Sequence, residues 1–307
     1  TGISWCNHSF DCWIGCSRLS PGCARCYAER DFGEGGLRQR VVWGPNGTRS
    51  RTADDYWKQP LKWNKAAAKA GVRYRVFCAS LADVFENWQG NIVDHKGQTL
   101  ACFGGGYRPA LPGDSHCLAT MDDIRRDLFA LIDATPNLDW LLLTKRPENI
   151  RRMWVAPKND GTAVQDSQLQ NYRSNVWLGA SIENQEYADK RIPELLKCRD
   201  LSPVLFLSAE PMLGPIYLHK YLFVGDEGGY EYVGSPRNFI HWIIGGAESG
   251  PGARPAHIEW FRSLRDQCKA AGVPYFHKQM EVNGNVTDDI NDFPSDLQIQ
   301  QFPVAVA

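Results

Sequence analysis

The sequence lacks a membrane span, since no charge-free apolar stretch in its 307 residues approaches the roughly 18 that a transmembrane helix requires. Its first residues show no basic-plus-apolar signal pattern, and no solenoid-type repeat or low-complexity tract is seen. The expectation is a cytoplasmic globular protein with no membrane partner. A formal charge of −1 provides no global attraction to nucleic acid, so a polyanion must be met by a local patch. Nor is this a disulfide scaffold: ten cysteines among 307 residues are too few, yet five of them fall within the first 26 positions. The other five (Cys78, Cys102, Cys117, Cys198 and Cys268) are scattered, as expected of reduced structural thiols.

What is present is alternation. Short apolar runs end in polar clusters and are followed by helix-like segments, the pattern of βα units. The runs are Tyr74–Ala79, Trp140–Leu143, Val176–Ala180, Val204–Leu207, Trp242–Ile244 and Val273–His277, with Ile3–Trp5 as a short first strand. A helix is expected behind Thr120, with Met121, Ile124, Leu128, Leu131 and Ile132 at helical spacing, and another from Ile258 to a glycine stop at Gly272. Strands apolar throughout suit a parallel sheet or barrel covered on both faces. The predicted fold class is therefore α/β, a partial or complete TIM-like (β/α) barrel over residues 1–280, followed by a tail at 281–307. Residues 86–118 read as an inserted loop, and residues 225–238, rich in Gly and Tyr, as a small excursion. In such barrels the chemistry sits at the C-terminal strand ends.

The cysteine cluster runs Cys12-Trp-Ile-Gly-Cys16-Ser-Arg-Leu-Ser-Pro-Gly-Cys23-Ala-Arg-Cys26-Tyr-Ala-Glu-Arg. Cys16, Cys23 and Cys26 stand at Cys-x6-Cys-x2-Cys, and Ser20-Pro21-Gly22 forces a turn. Thiolates select zinc or an iron–sulfur cluster, and spacing alone leaves both open. Cys6 or Cys12 as a fourth ligand makes a closed structural zinc site. Three ligands on a four-iron cluster instead leave one iron open. A loop after the first barrel strand opens at the catalytic mouth, which favours the second arrangement.

Three cysteines in that position resemble the radical S-adenosylmethionine (SAM) superfamily. The whole chain is similar to a divergent phage-associated branch with Cys-x6-Cys-x2-Cys spacing, linked to thymidine hypermodification. The resemblance extends over Ser80-Leu81-Ala82-Asp83-Val84-Phe85, Leu142-Leu143-Thr144-Lys145-Arg146-Pro147, Trp177-Leu178-Gly179-Ala180-Ser181-Ile182-Glu183-Asn184-Gln185, Ser208-Ala209-Glu210-Pro211, Gly245-Gly246-Ala247-Glu248 through Arg254-Pro255, and Lys278-Gln279. Extra Cys12 and the insertion at 86–118 depart from it. The resemblance implies a radical SAM barrel in which Cys16, Cys23 and Cys26 hold a [4Fe–4S] cluster whose fourth iron takes SAM, with a one-electron donor such as a host flavodoxin or ferredoxin. By their position at strand ends, Ser80, Lys145, Ser181 and Glu183 are the candidate SAM contacts. Glu210 and Lys278 are the candidate catalytic residues, and Glu248, Arg254 and Gln279 the candidate substrate contacts, with Arg254 able to clamp a carboxylate at two points.

From Arg38 to Arg75 ten basic residues face two acids, Asp54 and Asp55, with Trp43, Tyr56, Trp57, Trp63 and Tyr74 interleaved. Cations and rings together suit a nucleic-acid strand, although an amphipathic helix with core tryptophans gives the same pattern. With the resemblance, the expected substrate is DNA carrying a modified thymidine, flipped into the barrel mouth. The expected reaction is isomerisation of N-linked to carbon-linked glycyl-thymidine. Another radical SAM modification or thymine-lesion repair is the first alternative, and a non-catalytic zinc-stabilised DNA-binding protein the second.

Overall fold

A computed structural model describes residues 2–157, 171–222 and 240–303. The excursion expected at 225–238 lies outside the described residues. The protein is α/β, and its chain divides into two compact units, one of Cys6–Val176 and one of Gly2–Trp5 with Trp177–Ala307.

In the first unit, β1 (His8–Ser9) is followed by β2 (Trp13–Ile14), the cysteine loop and α1 (Tyr27–Phe32). Next come β3 (Arg49–Arg51), α2 (Asp54–Trp57), α3 (Gln59–Ala70) and β4 (Tyr74–Cys78). The stretch expected as an insertion carries β5 (Ile92–Val93) and a hairpin of β6 (Leu100–Phe103) and β7 (Gly106–Pro109). α4 (Met121–Asp133), β8 (Leu138–Thr144) and α5 (Ile150–Met153) complete the unit. β1, β4 and β8 pair in parallel, Val76 standing opposite His8 on one side and Trp140 on the other. β8 is buried on both faces because a run this apolar has no side to offer water. α4 starts where Thr120 and Asp123 satisfy each other's backbone N–H groups in a capping box.

The expected first strand at Ile3–Trp5 is corrected. Ser4 and Trp5 form a turn, and Trp5 is buried edge-on to Trp242, 6.2 Å between ring centroids, within the second unit. The parallel pairing belongs to His8–Ser9, two polar residues with no hydropathy signal. Apolarity at Ile3–Trp5 marks side-chain burial rather than strand pairing.

The second unit contains β9 (Val176–Ser181), α6 (Gln185–Leu196), β10 (Val204–Ala209), α7 (His219–Leu222), β11 (Trp242–Gly246), α8 (Ile258–Ala271), β12 (Tyr275–Val282) and β13 (Asn285–Thr287). β9 through β12 run parallel in sequence order, and β13 folds back antiparallel on β12. Every residue of β9, β10 and β11 is buried, with Trp242 edge-on to Trp177 and Phe276. α8 ends at Gly272, whose left-handed φ of 66° closes the helix as its sequence position predicts. The expected tail is not loose: Ile299 O accepts from His277 N at 2.8 Å, and Gln301 N donates to Tyr275 O at 3.0 Å. No helix among the described residues is long and apolar enough to cross a membrane.

Candidate metal centre

The cysteine loop leaves β2 through Gly15, where only glycine serves. Its φ is +115°, and a Cβ there would stand 2.6 Å from Thr48 O. Ser20-Pro21-Gly22 does turn the chain, as a single 3₁₀ turn over Pro21–Cys23. Cys26 stands at the N-cap of α1. Cys16, Cys23 and Cys26 are all free thiols and partly exposed. Cys6 and Cys12 are buried, and the Cys12 thiol is within hydrogen-bond reach of Cys78 in the core. The three loop thiols are thus set apart from their two sequence neighbours by exposure.

Cations stand beside them. Burial opposes ionisation of Cys23, but the Lys145 charge, backbone groups of Leu19 and Ser20, and the Ser20 hydroxyl at 3.8 Å bring it below the usual thiol range. Cys26 is raised by burial, against the start of α1 and Lys145. Cys16 is pushed up to about 12, first by burial and then by the Glu86 charge, with Arg146 opposing.

Behind Cys16 lies a buried ion network that sequence reasoning missed. Arg146 Nη1 is 3.6 Å from Cys16 Sγ and 2.9 Å from Asp83 Oδ2, while Nη2 donates to Ser17 O at 2.7 Å. Asp83 also accepts from the Thr144 hydroxyl at 2.6 Å and from Lys145 N at 3.1 Å. Arg49, fully buried, pairs with Glu86 through Nε and Nη2 at 2.8 and 2.9 Å and donates to Ser17 Oγ at 2.9 Å. Two cations and two carboxylates therefore balance inside the protein; Arg146 and Arg49 each also contact the Cys16–Ser17 segment, and Arg49 donates as well to Gly44 O and Thr48 O. A signal was available: Asp83 and Arg146 are opposite charges following two neighbouring strands, β4 and β8.

Ser80 follows β4. Its hydroxyl donates to the buried Asp11 carboxylate at 3.0 Å, and its carbonyl accepts from Tyr27 OH at 2.7 Å. Asp11, also missed, accepts from Leu81 N at 2.7 Å, yet burial raises its carboxyl to about 6.

In the second unit Glu183, Glu210 and Glu248 follow strand ends, but the strand expected to end at His277 continues to Val282, so Lys278 and Gln279 lie within β12. The charged side chains are already paired. Glu183, fully buried, binds Arg191 Nη1 at 2.7 Å, and the same nitrogen donates to Ser181 O at 2.7 Å. Glu210 pairs with Lys278. Gly246 leaves the room Glu210 uses, since a Cβ there would meet Glu210 Cδ at 3.3 Å. Arg254 already holds Glu248, its Nε 2.8 Å and its backbone N 2.9 Å from Oε2, so the fork expected to clamp a substrate carboxylate grips an internal one. Gln279 Nε2 donates to Ala247 O at 2.6 Å.

The basic segment divides. Trp63 stacks on His8 at 4.3 Å, Tyr56 stacks on Phe10 at 5.1 Å, and Trp57 lies under Arg51 at 4.7 Å, so these rings serve the core. Arg49 and Arg73 hold Glu86 and Asp139. Lys62, Lys65 and Lys69 of α3 stay exposed.

Among the described residues no three His, Cys, Asp or Glu groups converge where one ion could sit. A single zinc gathers its sulfurs about 2.3 Å from one point, whereas a four-iron cluster binds each cysteine at a different iron. Three partly exposed thiols on one loop, with Lys145 near Cys23 and Arg146 beside Cys16, are donors of the kind that hold zinc or an iron–sulfur cluster.

Fold and site together define an α/β protein with a three-thiol loop backed by a buried ion network. Its chain belongs to a family described as a protein of unknown function (DUF5131), whose model matches residues 1–96 and 114–291. The unmatched residues 97–113 include the β6–β7 hairpin and fall inside the expected insertion. No curated protein matches the chain, and no solved structure does.

Proposed function

We propose that the protein is a radical SAM enzyme of DNA hypermodification, isomerising N-linked glycyl-thymidine to its carbon-linked form, and that a (β/α) barrel of the radical SAM type is its scaffold. The observation that carries this reading is the loop itself: Cys16, Cys23 and Cys26 are partly exposed thiols, while Cys6 and Cys12 are buried. When bound, a [4Fe–4S] cluster and SAM supply a 5′-deoxyadenosyl radical, which suits a carbon–nitrogen to carbon–carbon rearrangement that has no easy polar route.

The protein's part is binding and orientation. Lys145 and Ser80 are assigned to the SAM carboxylate and ammonium, the Ser80 hydroxyl being oriented by Asp11. Ser181 and Glu183 are assigned to the SAM ribose, Glu183 being shared with Arg191. Glu210, Glu248, Arg254, Lys278 and Gln279 are assigned to the modified thymidine. The Glu210–Lys278 and Glu248–Arg254 pairs and the Gln279 hydrogen bond to Ala247 O hold these side chains ready at little cost in rotamer freedom. The exposed lysines of α3 are assigned to the phosphate backbone.

Anaerobic purification with metal and sulfide analysis tests the class. Iron and sulfide in equal amounts, about four of each per chain, are expected of a [4Fe–4S] cluster. Zinc without sulfide overturns the reading and supports a zinc-stabilised DNA-binding protein. For the reaction, reduced enzyme and SAM are incubated with phage DNA bearing N-linked glycyl-thymidine, and the digested nucleosides are separated and weighed. A product of unchanged mass with shifted retention is expected; an unchanged chromatogram from cluster-loaded enzyme refutes the isomerisation.

A further inference from the structure

We propose that Arg146 is a positioning residue that hydrogen-bonds the Cys16 thiolate and raises the reduction potential of the cluster held by Cys16, Cys23 and Cys26; this inference rests on the radical SAM reading. The geometry is specific to a guanidinium. Nη1 faces Cys16 Sγ at 3.6 Å and Asp83 at 2.9 Å, while Nη2 holds Ser17 O at 2.7 Å. One planar fork thus fixes the sulfur, the next backbone carbonyl and a buried carboxylate together. An ammonium is a point charge without that fork.

The arginine cannot turn away readily. It is 8% exposed, and Asp83 is itself held by the Thr144 hydroxyl and Lys145 N. Ser17 is gripped a second time, by Arg49 at its hydroxyl. This packing directs an N–H of a permanent cation at one ligand sulfur. Hydrogen bonds to cluster sulfurs stabilise the reduced, more negative state and so raise the potential. An enzyme that must accept an electron from a donor of limited reducing power gains from such a bond.

The test replaces Arg146 with lysine, which keeps the charge and removes the fork. Iron and sulfide content should match wild type. In an EPR-monitored redox titration the reduced-to-oxidised ratio at a fixed poise should fall about tenfold, or about 59 mV for one electron. The g-values of the reduced cluster should also change. An equal potential in a fully loaded variant overturns the proposal alone. If R146K does not load, wild-type protein labelled with ¹⁵N-arginine decides the matter: a weak nitrogen coupling to the reduced cluster is expected, and its absence overturns the bond. Wild-type protein that carries zinc without sulfide instead sinks the underlying reading, and this one with it.

Discussion

Asp11→Asn should make the protein more stable at neutral pH while leaving it nearly unchanged in acid. Asp11 is buried, and its carboxyl is raised from 3.8 to about 6 because burial outweighs the hydrogen bonds from Leu81 N and Ser80. Between those two values the folded protein binds a proton that the unfolded chain has lost. Stability therefore declines as pH rises from about 4 to about 6 and is level above that. Two pKa units at about 1.36 kcal/mol each set the full loss at about 3 kcal/mol. Asparagine keeps an oxygen for Leu81 N and carries no charge, so the variant lacks the decline. Urea unfolding of both proteins at pH 4.5, 6 and 7.5, followed by circular dichroism, should show the variant's advantage growing with pH toward about 3 kcal/mol. A difference between the two proteins that is constant with pH, or that grows toward acid, would refute the reasoning.

Other outcomes follow from the same contacts. Arg49→Met leaves Glu86 buried without its main partner and should cost about 3–5 kcal/mol, with part recovered in R49M/E86L; urea midpoints of the two variants check this. Cys12→Ala should load iron and sulfide like wild type, since that thiol is packed against Cys78, whereas Cys16→Ala, Cys23→Ala and Cys26→Ala should each abolish loading. Gly15→Ala should displace the loop and depress loading, because it places a methyl group 2.6 Å from Thr48 O at a φ of +115°; loading equal to wild type argues against the need for glycine. His277 is buried between Phe261 and Phe293, and burial lowers its ring to about 4. The neutral ring supports the fold above pH 6.5, and that support, about 3 kcal/mol in full, is lost as pH falls from 6.5 toward 4. An imidazole NMR titration should find this ring neutral at pH 5, and a normal titration near 6.5 contradicts the assignment.

Most of the α/β alternation was legible because parallel strands buried on both faces are apolar throughout. β8, β9, β10 and β11 appear where their runs predict, each extended by one to three residues into the polar ends. The helix after Thr120 and the stop at Gly272 were legible because caps have local chemistry. β1 was not, since a two-residue strand of His8 and Ser9 is defined by its partner β4 and not by its own side chains. The aromatic residues among the basic ones could not be assigned for a related reason. A ring that stacks on a base and a ring that stacks on His8 or Phe10 have the same sequence signature, and tertiary contacts alone separate them.

The site shows the same boundary between local and tertiary information more sharply. Spacing singled out three thiols, and exposure then separated them from Cys12. Within Thr144-Lys145-Arg146, position at a strand end could not tell which cation turns inward. Thr144 and Arg146 are buried while Lys145 between them is half-exposed, and the bend at Lys145 just past the end of β8 brings Arg146 to Asp83 and Cys16. Asp83 then joins the Ser80–Phe85 motif to the Leu142–Pro147 motif by accepting from Thr144, Lys145 and Arg146. Two segments that looked like separate landmarks in the sequence are halves of one support. A substitution at either half should therefore act through Cys16 and Ser17, and the loop that carries the thiols is the element to watch when either is changed.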